Sequence, residues 1–234
     1  MSFPSHATIV TAGGASSRFN GHSPAVYKKK EFLELDGKSV LYNATLPFVN
    51  LPSVKVVVVT YPSGLKDETE EALDNLYFAI DTPILLVEGG ATRQESVYNG
   101  LKALKEGSYN IEYVLIHDGA RPWIDEKTII STLATATVYG GAAPVLPIHD
   151  AIKKVDEKME VIEHLDRTNV VSIQTPQAFK FEDILVAHQN AADNGKHYFD
   201  DTEIFTDFGF KVGVCEGSAN NLKITKVSDI PSGD

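Results

Sequence analysis

Near its amino terminus the chain reads Ala7-Thr8-Ile9-Val10-Thr11-Ala12-Gly13-Gly14-Ala15-Ser16-Ser17-Arg18. A short β-branched run ends in small residues and then an arginine. Apolar residues at successive positions, with no polar alternation, predict a strand buried on both faces. Working outward, Lys55 to Thr60, Ile84 to Val87 and Tyr113 to His117 repeat that character. Helical spacing fills the intervals, over Val40 to Val49 and over Asp67 to Ile80, where Leu73, Leu76 and Ile80 share a face. Thr92-x-x-Glu95 predicts a capping box opening a helix through Leu104, and Asp125 caps another running to about Val138. The βαβα order implies a doubly wound α/β core with a mostly parallel sheet, binding ligands beyond the carboxyl ends of its strands.

The pattern changes at Gly140-Gly141. Ala142 to Ile148, Ile152 to Val155 and Val161 to Leu165 read as short strands separated by charged turns. The expectation is a single domain over 1–234 with a projecting β-arm over 140–167. A two-stranded projection buries little by itself and wants a partner, so the arm predicts a homodimer. Phe181 to Asn194 and Asp201 to Phe208 read as helices, and Lys211 to Val214 and Leu222 to Thr225 as strands returning to the sheet.

The 234 residues carry 21 Lys plus Arg against 32 Asp plus Glu, a net charge of -11. Such a balance argues against nucleic acid and anionic membranes as partners, yet leaves room for a local basic pocket. Cys215 is the only cysteine, which excludes an intrachain disulfide and a thiolate metal cage. No secretory signal is evident and Val56 to Val59 is typical of the longest apolar runs, so the expected setting is cytoplasmic.

Several segments bear chemistry. Thr11 to Arg18 allows backbone amides to approach a phosphate chain, although it fits neither the Walker loop nor the dinucleotide fingerprint; a tight turn with a surface arginine is the plainer reading. Lys28-Lys29-Lys30 is either a solvated face or, anchored by Phe32, a fixed ammonium donor. His117-Asp118-Gly119-Ala120-Arg121-Pro122 places a carboxylate at a strand end, where one Asp plus substrate phosphates could hold magnesium, or merely a turn-capping Asp. His117 reads as a packed or turn histidine. Arg167 and Lys223 are late basic residues among apolar strands, and Thr175-Pro176-Gln177 is a rigid turn with groups available to a ligand. An obligatory general base is missing from this set. That suits transfer to a phosphate nucleophile, already largely a dianion at neutral pH because its second pKa is about 6.

With these residues assembled, the sequence resembles the sugar- and polyol-phosphate cytidylyltransferases from Ile9 to about Asp229. The likeness rests on Ala12-Gly13-Gly14-x-x-x-Arg18, on Lys30-Glu31-Phe32-Leu33-x-Leu35-x-Gly37 and on Gly89-Gly90-x-x-Arg93-x-x-Ser96-Val97-x-x-Gly100-Leu101. It extends through His117-Asp118-x-Ala120-Arg121-Pro122, Asp166-Arg167-Thr168, Gln174-Thr175-Pro176-Gln177-x-Phe179 and Asn221-x-Lys223-x-Thr225. The resemblance implies a Rossmann-like nucleotidyltransferase core and transfer of CMP from CTP to a polyol phosphate with release of pyrophosphate. Its methylerythritol 4-phosphate branch fits best; a ribitol 5-phosphate enzyme or a non-catalytic CTP-binding module are the alternatives. By position it implies Arg18, Lys30 and Lys223 as catalytic cations, with Lys29 the rival of Lys30. Ala12, Gly13, Gly14, Ala15, Gly90 and Ser96 would hold the nucleotide, Asp118 would face magnesium, and Arg121, Arg167 and Thr175 the acceptor. Arg167 would reach the active site of the partner subunit. Ala151 and Phe199, the latter just before Asp200-Asp201, stand where the family commonly has threonines.

Overall fold

The runs rich in Val and Ile become the parallel half of one sheet. In the computed structural model, which describes residues 3–13, 29–74, 76 and 81–230, strand β1 is His6–Thr11. A small hairpin of β2 (Glu34–Leu35) and β3 (Lys38–Ser39) leads into helix α1 (Val40–Val49), capped by the Ser39 hydroxyl. Then follow β4 (Val54–Tyr61), α2 (Lys66–Ala72), β5 (Ile84–Glu88), α3 (Arg93–Glu106), β6 (Tyr113–Asp118) and α4 (Glu126–Tyr139). The Thr92–Glu95 capping box and the Asp125 cap both form as the sequence predicts. Helix α2 is shorter than expected, ending at Ala72; Leu73 and Leu76 are buried, and Ile80 lies outside the described residues.

Strands β5, β4, β1 and β6 lie side by side in that order, all parallel. The chain therefore builds outward from β1 on one side and then returns to its other side. That reversal opens a crevice beyond Thr11 and Asp118, which are paired in register. Apolar side chains alternate between two cores. Val10, Val57, Val59 and Leu115 pack under α1 and α4, while Ile9, Val56, Val58 and Ile116 meet α3 and residues further along the chain.

The second half extends the sheet with reversed strands. It comprises β7 (Gly141–Pro147), β8 (Ile152–Val155), β9 (Val161–Leu165), β10 (Val171–Ile173), β11 (Gln177–Lys180), helices α5 (Phe181–Asp193) and α6 (Asp201–Asp207), and β12 (Val212–Glu216). The sequence reading did not anticipate β11, which lies antiparallel between β6 and β7. Its four residues are too few for a periodic signal. The 140–167 stretch divides: Gly141–Pro147 belongs to the main sheet, beside β11, β12 and β10, and only β8 and β9 form a separate two-stranded sheet. Leu222 to Thr225 is not a strand. It is an irregular segment that binds through Ile224 N–H to the Ala120 carbonyl, laid across the β6 turn instead of along a sheet edge. No described helix is long and apolar enough to cross a membrane.

The crevice depends on close backbone approach. Gly119 N–H donates to the Thr11 carbonyl at 2.9 Å, and a Cβ on Gly119 would also lie 2.9 Å from that oxygen. Gly119→Ala should therefore force β1 and β6 apart and cost about 1–3 kcal/mol in urea unfolding. Unchanged stability would show that these two strand ends yield freely.

Candidate active site

Asp118 ends β6 with its side chain 8% exposed, and three cations from three other segments converge on it. Arg93 Nε donates to Oδ1 at 2.9 Å, Lys223 Nζ to Oδ2 at 2.7 Å, and Arg121 Nε lies 3.6 Å from Oδ2. Burial raises the Asp118 carboxyl, but Lys223, Arg93 and Arg121 outweigh it and hold the group well below the usual carboxylate range. Arg93 also donates through Nη1 to Asp201 at 2.7 Å. Burial alone would lower the Arg93 guanidinium; Asp201 and Asp118 raise it overall. Both carboxylates are thus held ionised, and the three basic side chains outnumber them.

The backbone beneath it is fixed by a directed hydrogen-bond chain. Asp118 N–H donates to Thr175 Oγ1 at 3.0 Å, leaving that hydroxyl to donate to His117 Nδ1 at 3.1 Å. His117 Nε2 must then carry the proton and donate to the Arg121 carbonyl at 3.1 Å. This assignment requires a neutral imidazole, and burial lowers the His117 pKa to about 4. His117 is the packed turn histidine the sequence suggests. Thr175 is buried with its hydroxyl engaged inside this chain, so it supports Asp118 from behind.

The 220–225 segment closes one side. Asn221 donates to the Thr175 carbonyl at 2.8 Å, its own carbonyl accepts from Arg121 Nη1 at 2.7 Å, and Lys30 Nζ donates to the Ile224 carbonyl at 2.7 Å. Lys30 thereby joins the wall that carries Lys223. Lys29 is buried, and that burial lowers its pKa against the opposing pull of Glu31.

On the other side, Ala12 and Gly13 run from β1 toward the loop after β5. A Cβ on Gly13 would stand 2.7 Å from Ser96 Oγ and 3.5 Å from Gly89 Cα. Ser96 is buried; its hydroxyl accepts from Gly90 N–H at 3.1 Å and donates to the Thr92 carbonyl at 2.9 Å. The predicted nucleotide residues Ala12, Gly13, Gly90 and Ser96 therefore form one small-residue floor. Gly14, Ala15 and Arg18 lie outside the described residues. Arg167 stands apart from the cluster, at the end of β9, where its guanidinium donates to the His149 carbonyl.

Sequence reasoning assigned no role to Arg93 or Asp201. A signal existed for the first: Arg93 is the opening residue of a capped helix, where the macrodipole disfavours a cation. A cation kept there needs carboxylates nearby, and Asp118 and Asp201 supply them.

Cations gathered on a strand-end carboxylate beside a small-residue floor are suited to polyphosphate, and on this sheet order they define an α/β nucleotidyltransferase. Comparison with known proteins narrows the class. The family profile described as "IspD: 2-C-methyl-D-erythritol 4-phosphate cytidylyltransferase" matches residues 6–234, and the chain belongs to that family. Proteins of that name from Clostridium acetobutylicum and Clostridium novyi are 39% and 36% identical, over 95% and 97% of this chain and 93% and 94% of theirs. Among solved structures, 4-diphosphocytidyl-2C-methyl-D-erythritol synthase from Anaerococcus prevotii superposes with a TM-score of 0.82 at 26% identity. That match covers 97% of this chain and 93% of the other. The Francisella tularensis cytidylyltransferase gives 0.78 at 25%, covering 97% and 96%.

The neutral His117 makes stability depend on pH. Its folded pKa of about 4 lies below its unfolded value of 6.5, so its contribution is complete above 6.5 and is lost as pH falls toward 4. Between pH 7.5 and 5 the wild type should lose about 2 kcal/mol more than His117→Gln in urea titrations. Parallel pH profiles for the two proteins would contradict a buried neutral imidazole.

Proposed function

We propose that the chain transfers CMP from CTP to 2-C-methyl-D-erythritol 4-phosphate, releasing pyrophosphate, at the crevice organised by Asp118. The family match supports the reaction; the observation that ties it to this crevice is the ionised Asp118 with Arg93, Arg121 and Lys223 directed at it. The acceptor phosphate needs no base, since it is already largely a dianion, and the neutral His117 sits behind the carboxylate with both nitrogens committed. The reaction then depends on holding two anions together and neutralising the charge that passes to pyrophosphate. Lys223 and Lys30 face that charge from the 220–225 wall, with Arg18 assigned to the triphosphate by its motif. Arg121 turns toward the acceptor. Ala12, Gly13 and Gly90 form the floor for cytosine and ribose, with Ser96 fixing Gly90 from below and Gly14 and Ala15 assigned to the nucleotide by their motif.

A divalent cation, magnesium by preference, fits Asp118 in one way. Among the described residues Oδ1 accepts only from Arg93 and keeps a lone pair, but three neighbouring cations repel a bare dication. Among the described residues no group of three acidic, His or Cys side chains could hold an ion alone. Asp118 would therefore receive the ion together with the CTP phosphates, where it neutralises charge on the α-phosphate and pyrophosphate.

Residues 140–167 are proposed as the dimer arm. Val155, Val161, Ile162 and Leu165 are 37–57% exposed on β8 and β9, a pair too small to be stable without cover. A second copy would cover them and bring Arg167 to the partner's acceptor phosphate. The predominantly acidic chain is placed in the cytoplasm, with neither nucleic acid nor membrane as a partner.

Pyrophosphate release with CTP and magnesium should occur with methylerythritol 4-phosphate and not with ribitol 5-phosphate. The reverse would keep the chemistry and replace the acceptor, and binding of CTP without turnover would leave a nucleotide-binding module. Lys223→Ala should lower turnover by two orders of magnitude or more, equivalent to ~3 kcal/mol; near-normal turnover would remove it from the reaction centre. Arg167→Ala should raise the acceptor KM well above any change in the KM for CTP, and equal changes would count against its trans role.

A further inference from the structure

Asp118 receives Arg93, but Arg93 is itself held from a second carboxylate, and that one from a histidine outside the crevice. His188 on α5 donates through Nε2 to Asp201 Oδ1 at 3.0 Å, and both side chains are 0% exposed. The other oxygen of Asp201 takes Arg93 Nη1 at 2.7 Å, and Arg93 Nε continues to Asp118. Asp201 is the first residue of α6, with its own N–H held at 3.1 Å by Gln177 Oε1 on β11. The chain His188, Asp201, Arg93, Asp118 thus crosses from α5 through α6 and α3 to β6, with each link made to a different atom of the group it fixes. Tyr98 stacks near the imidazole, ring centroids 6.2 Å apart, and His188 Nδ1 makes no hydrogen bond among the described residues. Only the Nε2 link leads toward the site.

We infer that His188 is a positioning residue for cytidylyl transfer: it fixes the rotation of the Asp201 carboxylate, and through Arg93 the direction in which Asp118 faces the reacting phosphates. The geometry gives each member one task. A carboxylate can rotate about its Cβ–Cγ bond, so a single guanidinium contact would leave Asp201 free to tilt. The His188 donor on the second oxygen removes that freedom. Arg93 opens a helix whose dipole opposes its charge, so its orientation depends on the two carboxylates. Displacement of a catalytic group by about 1 Å costs on the order of a hundredfold in rate, so a loose second carboxylate is felt at Asp118.

The inference rests on Asp118 belonging to the reaction centre, which Asp118→Asn tests separately by abolishing turnover. It is decided by two replacements of nearly equal volume, His188→Gln, which keeps an N–H donor, and His188→Met, which does not. Steady-state rates should be measured below the unfolding temperature of both variants, as recorded by circular dichroism. His188→Gln should stay within about threefold of the wild-type kcat and His188→Met should fall about tenfold or more, with the KM for CTP changing little in either. In an Arg93→Met background the difference between Gln and Met at 188 should vanish, because the connection to Asp118 is already cut. Equal kcat for the two variants overturns the inference. So does a Gln–Met difference that persists undiminished without Arg93, since the effect would then be one of packing.

Discussion

An ionised carboxylate removed from water costs several kcal/mol unless its partners are close and well aimed. At Asp118 that requirement is met by Arg93, Lys223 and Arg121, drawn from α3, the 220–225 segment and the turn following β6 itself. Arg93 and Lys223 are distant from Asp118 in sequence, and the α/β sheet brings them together. The fold of the carboxyl-terminal half is arranged accordingly. Strand β11 inserts beside β6 so that Thr175 can hold the Asp118 amide, and the last described segment lies across the β6 turn so that Lys223 can reach Oδ2.

This arrangement keeps charge in place before any substrate arrives. Three cations around one carboxylate repel one another, and Asp201 offsets that repulsion from behind Arg93. What remains is an excess of positive charge facing a crevice in a protein of net charge -11. The local field is thus opposite in sign to that of the whole molecule. Such contrast favours small polyanions over large ones, because a large polyanion would extend over the acidic surface.

Much of the first half was legible from sequence. Continuous Val and Ile runs marked β1, β4, β5 and β6, and the capping residues Thr92 and Asp125 fixed where α3 and α4 begin. Asp118 was legible because strand ends on such a sheet are where ligands bind. The second half was less so, for physical reasons. Strand β11 has four residues and takes its conformation from the strands on either side. Leu222 to Thr225 has the composition of a strand, yet its Ile224 amide serves the β6 turn, and those of Leu222 and Thr225 bond to Asn220 and Asp229 instead of a ladder. The division of 140–167 is not legible because β7, β8 and β9 alike read as short strands in sequence, while β7 pairs within the main sheet through Pro147 and β8 and β9 pair only with each other. The Arg93 to Asp201 link spans 108 residues, and no local pattern encodes a contact of that separation.

A neutral histidine adjacent to the Asp118 carboxylate would suit base catalysis, yet its environment excludes that role here. His117 spends one nitrogen on Thr175 and the other on the Arg121 carbonyl, so neither lone pair nor proton is available to a substrate. Its neutrality serves the cluster in another way. A fourth cation, completely buried within contact of Arg121, would compete with Lys223 and Arg93 for the single Asp118 charge. Burial keeps the imidazole uncharged and leaves the carboxylate to the cations that face the crevice. The chemistry then has no protonation step that the protein must supply, consistent with an acceptor that arrives as a dianion.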